Sequence, residues 1–239
     1  FTDKTNLVHL RFERPHISER IIFKALTIGL PQFLINLCAC LVAIIITRSM
    51  TLYGAETGAG GDVAVGSYGI ANRLILFAVM LTIGLNQGMQ PIAGYNYGAQ
   101  QYGRMMRVVK LSIITAICIM LTGWTLAMFA PYYCARMFTK DPELIKGSIK
   151  AIQIIMMMYP FIGYQMVITN FFQCIGKVKI SIFLSLSRQL LFLLPLLVML
   201  PNFYGINGVW ASMPTSDLIS VIVAISIMTV YLRRFKKEM

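Results

Sequence analysis

Polar side chains recur at helical spacing inside long apolar stretches of this chain. Gln32, Asn36, Cys40, Ala43 and Thr47 follow one another every three or four residues, which places them on one face of a helix. Pro31, preceded by Gly29, is expected to loosen that helix just before the stripe. Gln165, Thr169 and Gln173 make a second face, with Tyr164 and Asn170 beside it and Pro160 earlier. Asn86, Gln87 and Gln90 crowd together ahead of Pro91. Amides in lipid either line a pathway for polar cargo or tie helices together by hydrogen bonds of about 1 kcal/mol or less. Three stripes in one chain favour a hydrated cavity over isolated ties.

Two charges interrupt the last apolar stretch, Arg188 and Asp217. At 1.5 Å per residue, each lies roughly 12 Å deep if their helices enter from opposite sides of the membrane. In a hydrocarbon core about 30 Å thick their backbones then differ in depth by about 6 Å, which long side chains can close. The pair is either a buried ion pair that fixes packing or a proton site, Asp217 being the carrier and Arg188 the tuning charge. Nothing else in the sequence resembles a reactive centre. There is no Ser-His-Asp set, no paired-His spacing and no phosphate-binding G-x-x-x-x-G-K-[ST] loop, so the chain reads as no enzyme, with no cofactor. The five cysteines are odd in number and lack C-x-x-C spacing; Cys38, Cys40, Cys118 and Cys174 read as small packing residues, and no metal site is expected, since both histidines, His9 and His16, are in the polar leader.

The elements that must position these residues are written in the charge pattern. Of 239 residues, 57% are hydrophobic and 13% charged, half the usual charged share, and the mean hydropathy is +0.71. The stretches 25–47, 74–103, 111–135 and 151–176 carry no Asp, Glu, Lys or Arg, and each exceeds the roughly 20 residues that cross a bilayer. The stretch 180–232 is too long for one helix, and Pro201-Asn-Phe-Tyr-Gly-Ile-Asn-Gly208 divides it with turn-forming residues. The fold class that follows is all-α: a polytopic bundle of six transmembrane helices near 22–48, 65–91, 106–130, 148–174, 179–200 and 209–232. Runs this long and apolar all round exclude a β-barrel of short alternating strands. External connections are expected at 53–63 and 131–146.

With six crossings, fourteen of the 21 basic residues fall on the side holding both chain ends and five on the other, which predicts cytoplasmic ends in a bacterial inner membrane. The net charge of +12 is thus topology, and no nucleic-acid partner is expected. Residues 1–24 read as a cytoplasmic leader whose segment 17–24 is a short amphipathic helix on the membrane surface, 25–232 as the six-helix lobe, and 233–239 as a basic cytoplasmic tail. A start without Met and a polar opening suggest the middle of a longer protein.

The stretch Gly84-Leu-Asn-Gln-Gly-Met-Gln-Pro-Ile-Ala-Gly-Tyr-Asn-Tyr-Gly-Ala99, followed by Arg104, resembles a signature of the multidrug and toxic compound extrusion (MATE) transporters. Gly29-Leu-Pro31, Phe138-Thr-Lys-Asp-Pro-Glu-Leu144, Asn170-Phe-Phe-Gln-Cys-Ile-Gly-Lys177, Ser185-Leu-Ser-Arg-Gln189 and Gly208-Val-Trp-Ala-Ser-Met-Pro-Thr-Ser-Asp217 support it, and nearly the whole chain is similar to the second half of its MepA-like bacterial subgroup. The resemblance implies one lobe of a twelve-helix protein whose partner is the N-terminal six-helix lobe. It implies export of cationic, often aromatic drugs in exchange for Na+ or H+ by rocking between inward- and outward-open states. In the NorM-type branch a glutamate on the first helix of this half and an acid on the fourth bind the cation. The corresponding places here hold Ala39–Cys40 and the amides Gln165, Asn170 and Gln173. The coupling acid is then Asp217 or belongs to the N-terminal half.

The 16 methionines, Met156–Met158 among them, and the aromatic residues suit bulky cations, and equally suit lipid and helix packing. Two other functions compete. A flippase for lipid-linked oligosaccharides would favour a strongly cationic cavity, for which only Arg73 and Arg188 are available. A non-transporting membrane scaffold would need neither the polar stripes nor the signature.

Overall fold

The structure, a computed structural model, describes residues 19–55 and 60–238, with side chains for Phe23, Phe33 and residues 35–233 within them. The charged leader before residue 19 and the side chain of Gln32 lie outside the described residues. Long helices dominate: α1 (Glu19–Ala55), α2 (Gly61–Gly98) and α3 (Tyr102–Phe129). A short α4 (Pro131–Arg136) leads to α5 (Pro142–Ile155) and α6 (Tyr159–Cys174). Then come α7 (Val178–Leu186), a π-helical turn (Ser187–Leu193) and α8 (Leu194–Glu238).

Glu19–Lys24, the described part of the segment expected as a short amphipathic helix, is helical and continuous with α1. The segment 131–146, read as an external connection, is mostly helical. Pro131 and Pro142 sit in the first turns of α4 and α5, where a missing N–H costs nothing, and the Asp141 side chain caps α5 by accepting from the Glu143 N–H at 3.0 Å.

Ile35–Ala55, Gly61–Gly98 and Tyr102–Phe129 are each long and apolar enough to cross a membrane. The fourth expected helix is a bent span. α5 and α6 meet at 53°, because Pro160 has no N–H for the Met156 carbonyl, which accepts from Tyr159 N at 3.1 Å instead. The last apolar run, Val178–Arg233, is 56 residues, about 84 Å if straight and nearly three bilayer cores. It folds back at Gly205, whose φ of 56° and ψ of −136° are open to glycine alone. The fold-back is tight: a Cβ on Gly208 would stand on the Leu200 carbonyl. The described residues therefore form a bundle of six legs.

Two apolar clusters divide its length. One, at the Gly205 end, joins Met50, Ala71, Met120, Ile152, Tyr159 and Trp210. The other, at the Gly176 end, joins Met89, Met105, Phe171, Leu184, Met228 and Tyr231. On every leg from α2 onward the two clusters occupy successive stretches, so a layer is left between them. Buried polar residues occupy it: Thr82 and Asn86 on α2, Gln165 on α6, Ser187 on the π turn, and Ser216, Asp217 and Ser220 on α8.

Candidate functional site: a charged cavity in the polar layer

Arg188 and Asp217 meet in this layer. Arg188 Nε donates to Asp217 Oδ1 at 2.7 Å, across a separation of 29 residues that only the fold-back at Gly205 makes possible. A second bond locks the same two elements, as Ser216 Oγ donates to the Arg188 carbonyl at 3.0 Å. Asp217 is buried, whereas the Arg188 side chain keeps 36% of its surface open.

That surface faces a cavity of about 410 Å³. The wide turn at Ser187–Leu193 presents Arg188, Gln189 and Leu193 to it; one-turn π segments are a common way to aim side chains at functional sites. Tyr68 and Asn72 of α2 and Tyr159 of α6 complete the polar part of the lining, and Ala39, Val42 and Ile46 of α1 form an apolar wall. The Tyr159 hydroxyl donates to the Ile75 carbonyl at 2.6 Å, pinning the α5–α6 bend to α2. Arg188 engages Asp217 through Nε, so its two terminal nitrogens are left to the cavity. Gln189 Oε1 is buried without a partner among the described residues.

Of the described residues in the three stripes, Ala43 alone lines this cavity. Asn36, Cys40 and Thr47 are exposed, about a quarter-turn from the α1 residues that do line it. Gln87 and Gln173 are exposed as well. Gln90 Nε2 donates to Asn170 Oδ1 at 2.8 Å, and Asn170 Nδ2 donates to the Met166 carbonyl at 2.8 Å, so this pair ties α2 to α6. Asn86 and Gln165 are buried in the polar layer, where both amide atoms of Asn86 and Oε1 of Gln165 lack partners among the described residues. Tyr164 and Thr169 are half-buried. Spacing puts residues on a common face; which face of each leg meets a neighbour depends on how the legs are arranged. Tyr68, Asn72, Tyr159 and Gln189 were not read as site residues in the sequence, although Gln189 adjoins Arg188 and Tyr68 and Asn72 are four residues apart.

A bundle of long apolar helices with an ion pair and a cavity between its two apolar clusters is built as a multi-pass membrane protein. A model of the MatE family matches residues 31–199, and the chain belongs to that family. It is 23% identical over 222 residues to the multidrug export protein MepA of Staphylococcus haemolyticus, covering 93% of this chain and 46% of that protein. The corresponding protein of Staphylococcus aureus strain MSSA476 is 23% identical over 235 residues, 98% of this chain and 49% of that one. Among solved structures, the MATE multidrug transporter DinF-BH is similar with a TM-score of 0.74 and 34% identity, covering 90% of this chain and 48% of that one. An inward-facing MATE family transporter of the MOP superfamily aligns with a TM-score of 0.81 at 20% identity, over 92% of this chain and 50% of that one, a likeness of fold. The chain spans about half the length of the relatives it matches.

Proposed function

We propose that this chain is the C-terminal six-helix lobe of a twelve-helix secondary transporter that exports cationic, aromatic compounds in exchange for Na+ or H+. The reading rests on family membership together with one observation, the Arg188–Asp217 pair opening onto a cavity at mid-depth. Asp217 then exchanges partners. Paired with Arg188 it is neutralised in place; when a proton or cation takes the carboxylate, the guanidinium is released to the cavity and the π turn keeps only the Ser216 bond of its two polar ties to this leg of α8. Cargo sits against the open face of α1, where Asn36, Cys40 and Thr47 look toward the N-terminal lobe. Both ends of this segment lie in the cytoplasm, in keeping with the basic excess on that side.

Dye efflux from cells making the full-length transporter tests the reading, measured with and without sodium and with a proton uncoupler. Gradient-dependent efflux is expected, and its absence for every cationic dye would sink the exporter reading. In the same cells Asp217→Asn is expected to reach the membrane in normal amount and to lose at least tenfold in efflux. Undiminished efflux by that variant would remove Asp217 from the coupling and return the pair to a packing role.

A further inference from the structure

The cavity beside the ion pair is presented with one charge. Arg188 keeps 36% of its side-chain surface open and Asp217 only 7%, so the cavity faces the guanidinium and not the carboxylate behind it. Nε is committed to Asp217 Oδ1, and neither terminal nitrogen has a hydrogen-bond partner among the described residues. A guanidinium carries five N–H donors in a planar fork, so the four on its terminal nitrogens are left without an acceptor. Beyond this pair, no charged side chain is among the described residues that line the cavity. From the α2 wall the Tyr68 hydroxyl and the Asn72 amide, one helical turn apart, are half-buried and make no hydrogen bond to a described residue. Both can donate.

The rest of the accessible lining is apolar. Leu76 of α2, Leu193 of the π turn and Met213 of α8 all keep open surface, and methionine adapts to the shape of what it meets. At about 410 Å³ the space falls within the range of pockets for small organic molecules, about 300–1,000 Å³. A carboxylate can accept two parallel N–H bonds from the outer edge of a guanidinium; a neutral amide lacks the charge, and an ammonium cannot accept at all. Asp217 already claims part of the arginine charge, so the fit is to one negative charge and not to two.

We propose that this cavity binds an aromatic monocarboxylate, with its carboxylate on the outer edge of Arg188 and its ring against Leu76, Leu193 and Met213. The bound carboxylate and Asp217 then share one guanidinium, and each weakens the other's hold on it. The site stands about a quarter-turn of α1 away from the face proposed for cationic cargo, and its ligand does not depend on what the assembled transporter exports.

Calorimetric titration of the chain in a maltoside detergent, with the heat of protein-free micelles subtracted, compares naphthoate, naphthamide and naphthylmethylamine, which share a ring system and differ in charge. Saturable binding of naphthoate is expected, at least tenfold tighter than either of the others. Asp217→Asn frees Arg188 from its partner and is expected to bind naphthoate at least threefold more tightly than the unaltered chain. Asp217→Asn combined with Arg188→Gln strands no buried charge, which guards against a folding defect, and is expected to bind at least tenfold more weakly than Asp217→Asn alone. No saturable binding of naphthoate, or equal binding of all three compounds, would overturn the proposal. So would naphthoate binding that Asp217→Asn fails to tighten, or that the double variant retains. Efflux of cationic dyes is read in separate cells, so its absence would sink the exporter reading and leave this site standing.

Discussion

At the scale of single residues, Asp217 is the side chain with most at stake. A carboxylate buried at mid-depth persists because Arg188 supplies charge and Ser216 holds the arginine backbone in place. Removing one partner strands the other. Arg188→Met is therefore expected to destabilise the protein by about 3 kcal/mol, the low end for buried pairs because the arginine is open to the cavity. Arg188→Met with Asp217→Leu removes both charges and is expected to recover most of that loss. Thermal unfolding in detergent checks both variants; a double variant no more stable than the single one would show that the pair contributes more than its own neutralisation. The buried amides behave differently. Asn86 and Gln165 are two residues whose unpaired groups share a layer with the ion pair, while Gln90 and Asn170 satisfy one another.

At the scale of elements, close approach rather than hydrophobicity sets how the legs stand. Lipid is as apolar as leucine, so legs associate where small residues let backbones meet. Gly163 of α6 is such a point: a Cβ there would lie 3.0 Å from the Ala116 carbonyl and 3.1 Å from Met120 Cγ of α3. A Cβ on Gly88 of α2 would meet nothing within 4 Å among the described residues. Gly163→Leu is accordingly expected to part α3 from α6 and cost about 1–3 kcal/mol, and Gly88→Ala to leave the melting temperature unchanged or slightly raised. Equal effects of the two would mean that the α3–α6 contact does not govern stability. The bends follow the same logic of local cause. Pro160 accounts for the 53° turn between α5 and α6, and Gly205 for the reversal in α8.

For the whole molecule, the open side of the lobe is the informative one. The α1 stripe of Asn36, Cys40 and Thr47 is exposed in the isolated lobe, an arrangement that fits a wall shared with a second lobe. On the reading proposed above, a reconstituted 239-residue chain is expected to transport nothing by itself, because the second lobe would supply the other wall of the pathway. With the five native cysteines replaced by alanine, Asn36→Cys offers a direct check: a membrane-permeant maleimide should label it readily in the lone chain and at least fivefold more slowly when the upstream lobe is present. Transport by the lone chain, or labelling that the second lobe does not slow, would contradict this arrangement.

Much of this architecture was legible beforehand, for a physical reason. A bilayer tolerates few charges, so uncharged runs longer than about 20 residues mark the legs, and depth counted along them brings Arg188 and Asp217 to similar levels. The positions of Gly205 and Pro160 likewise announce a reversal and a weak point. What remained hidden was everything that depends on which faces meet. Periodicity assigned Gln32, Asn36, Gln87 and Gln173 to stripes, but a stripe carries no information on its neighbour. Only the packing of α1, α2, α6, the π turn and α8 put Tyr68, Asn72, Tyr159 and Gln189 around the ion pair. The sequence determined the number of legs, their lengths and the depth of the charges, because each follows from local composition against a solvent of known thickness. The tertiary structure decided which polar groups share a cavity, because that depends on the rotation of each leg about its axis, which close contacts such as Gly163 against Ala116 set.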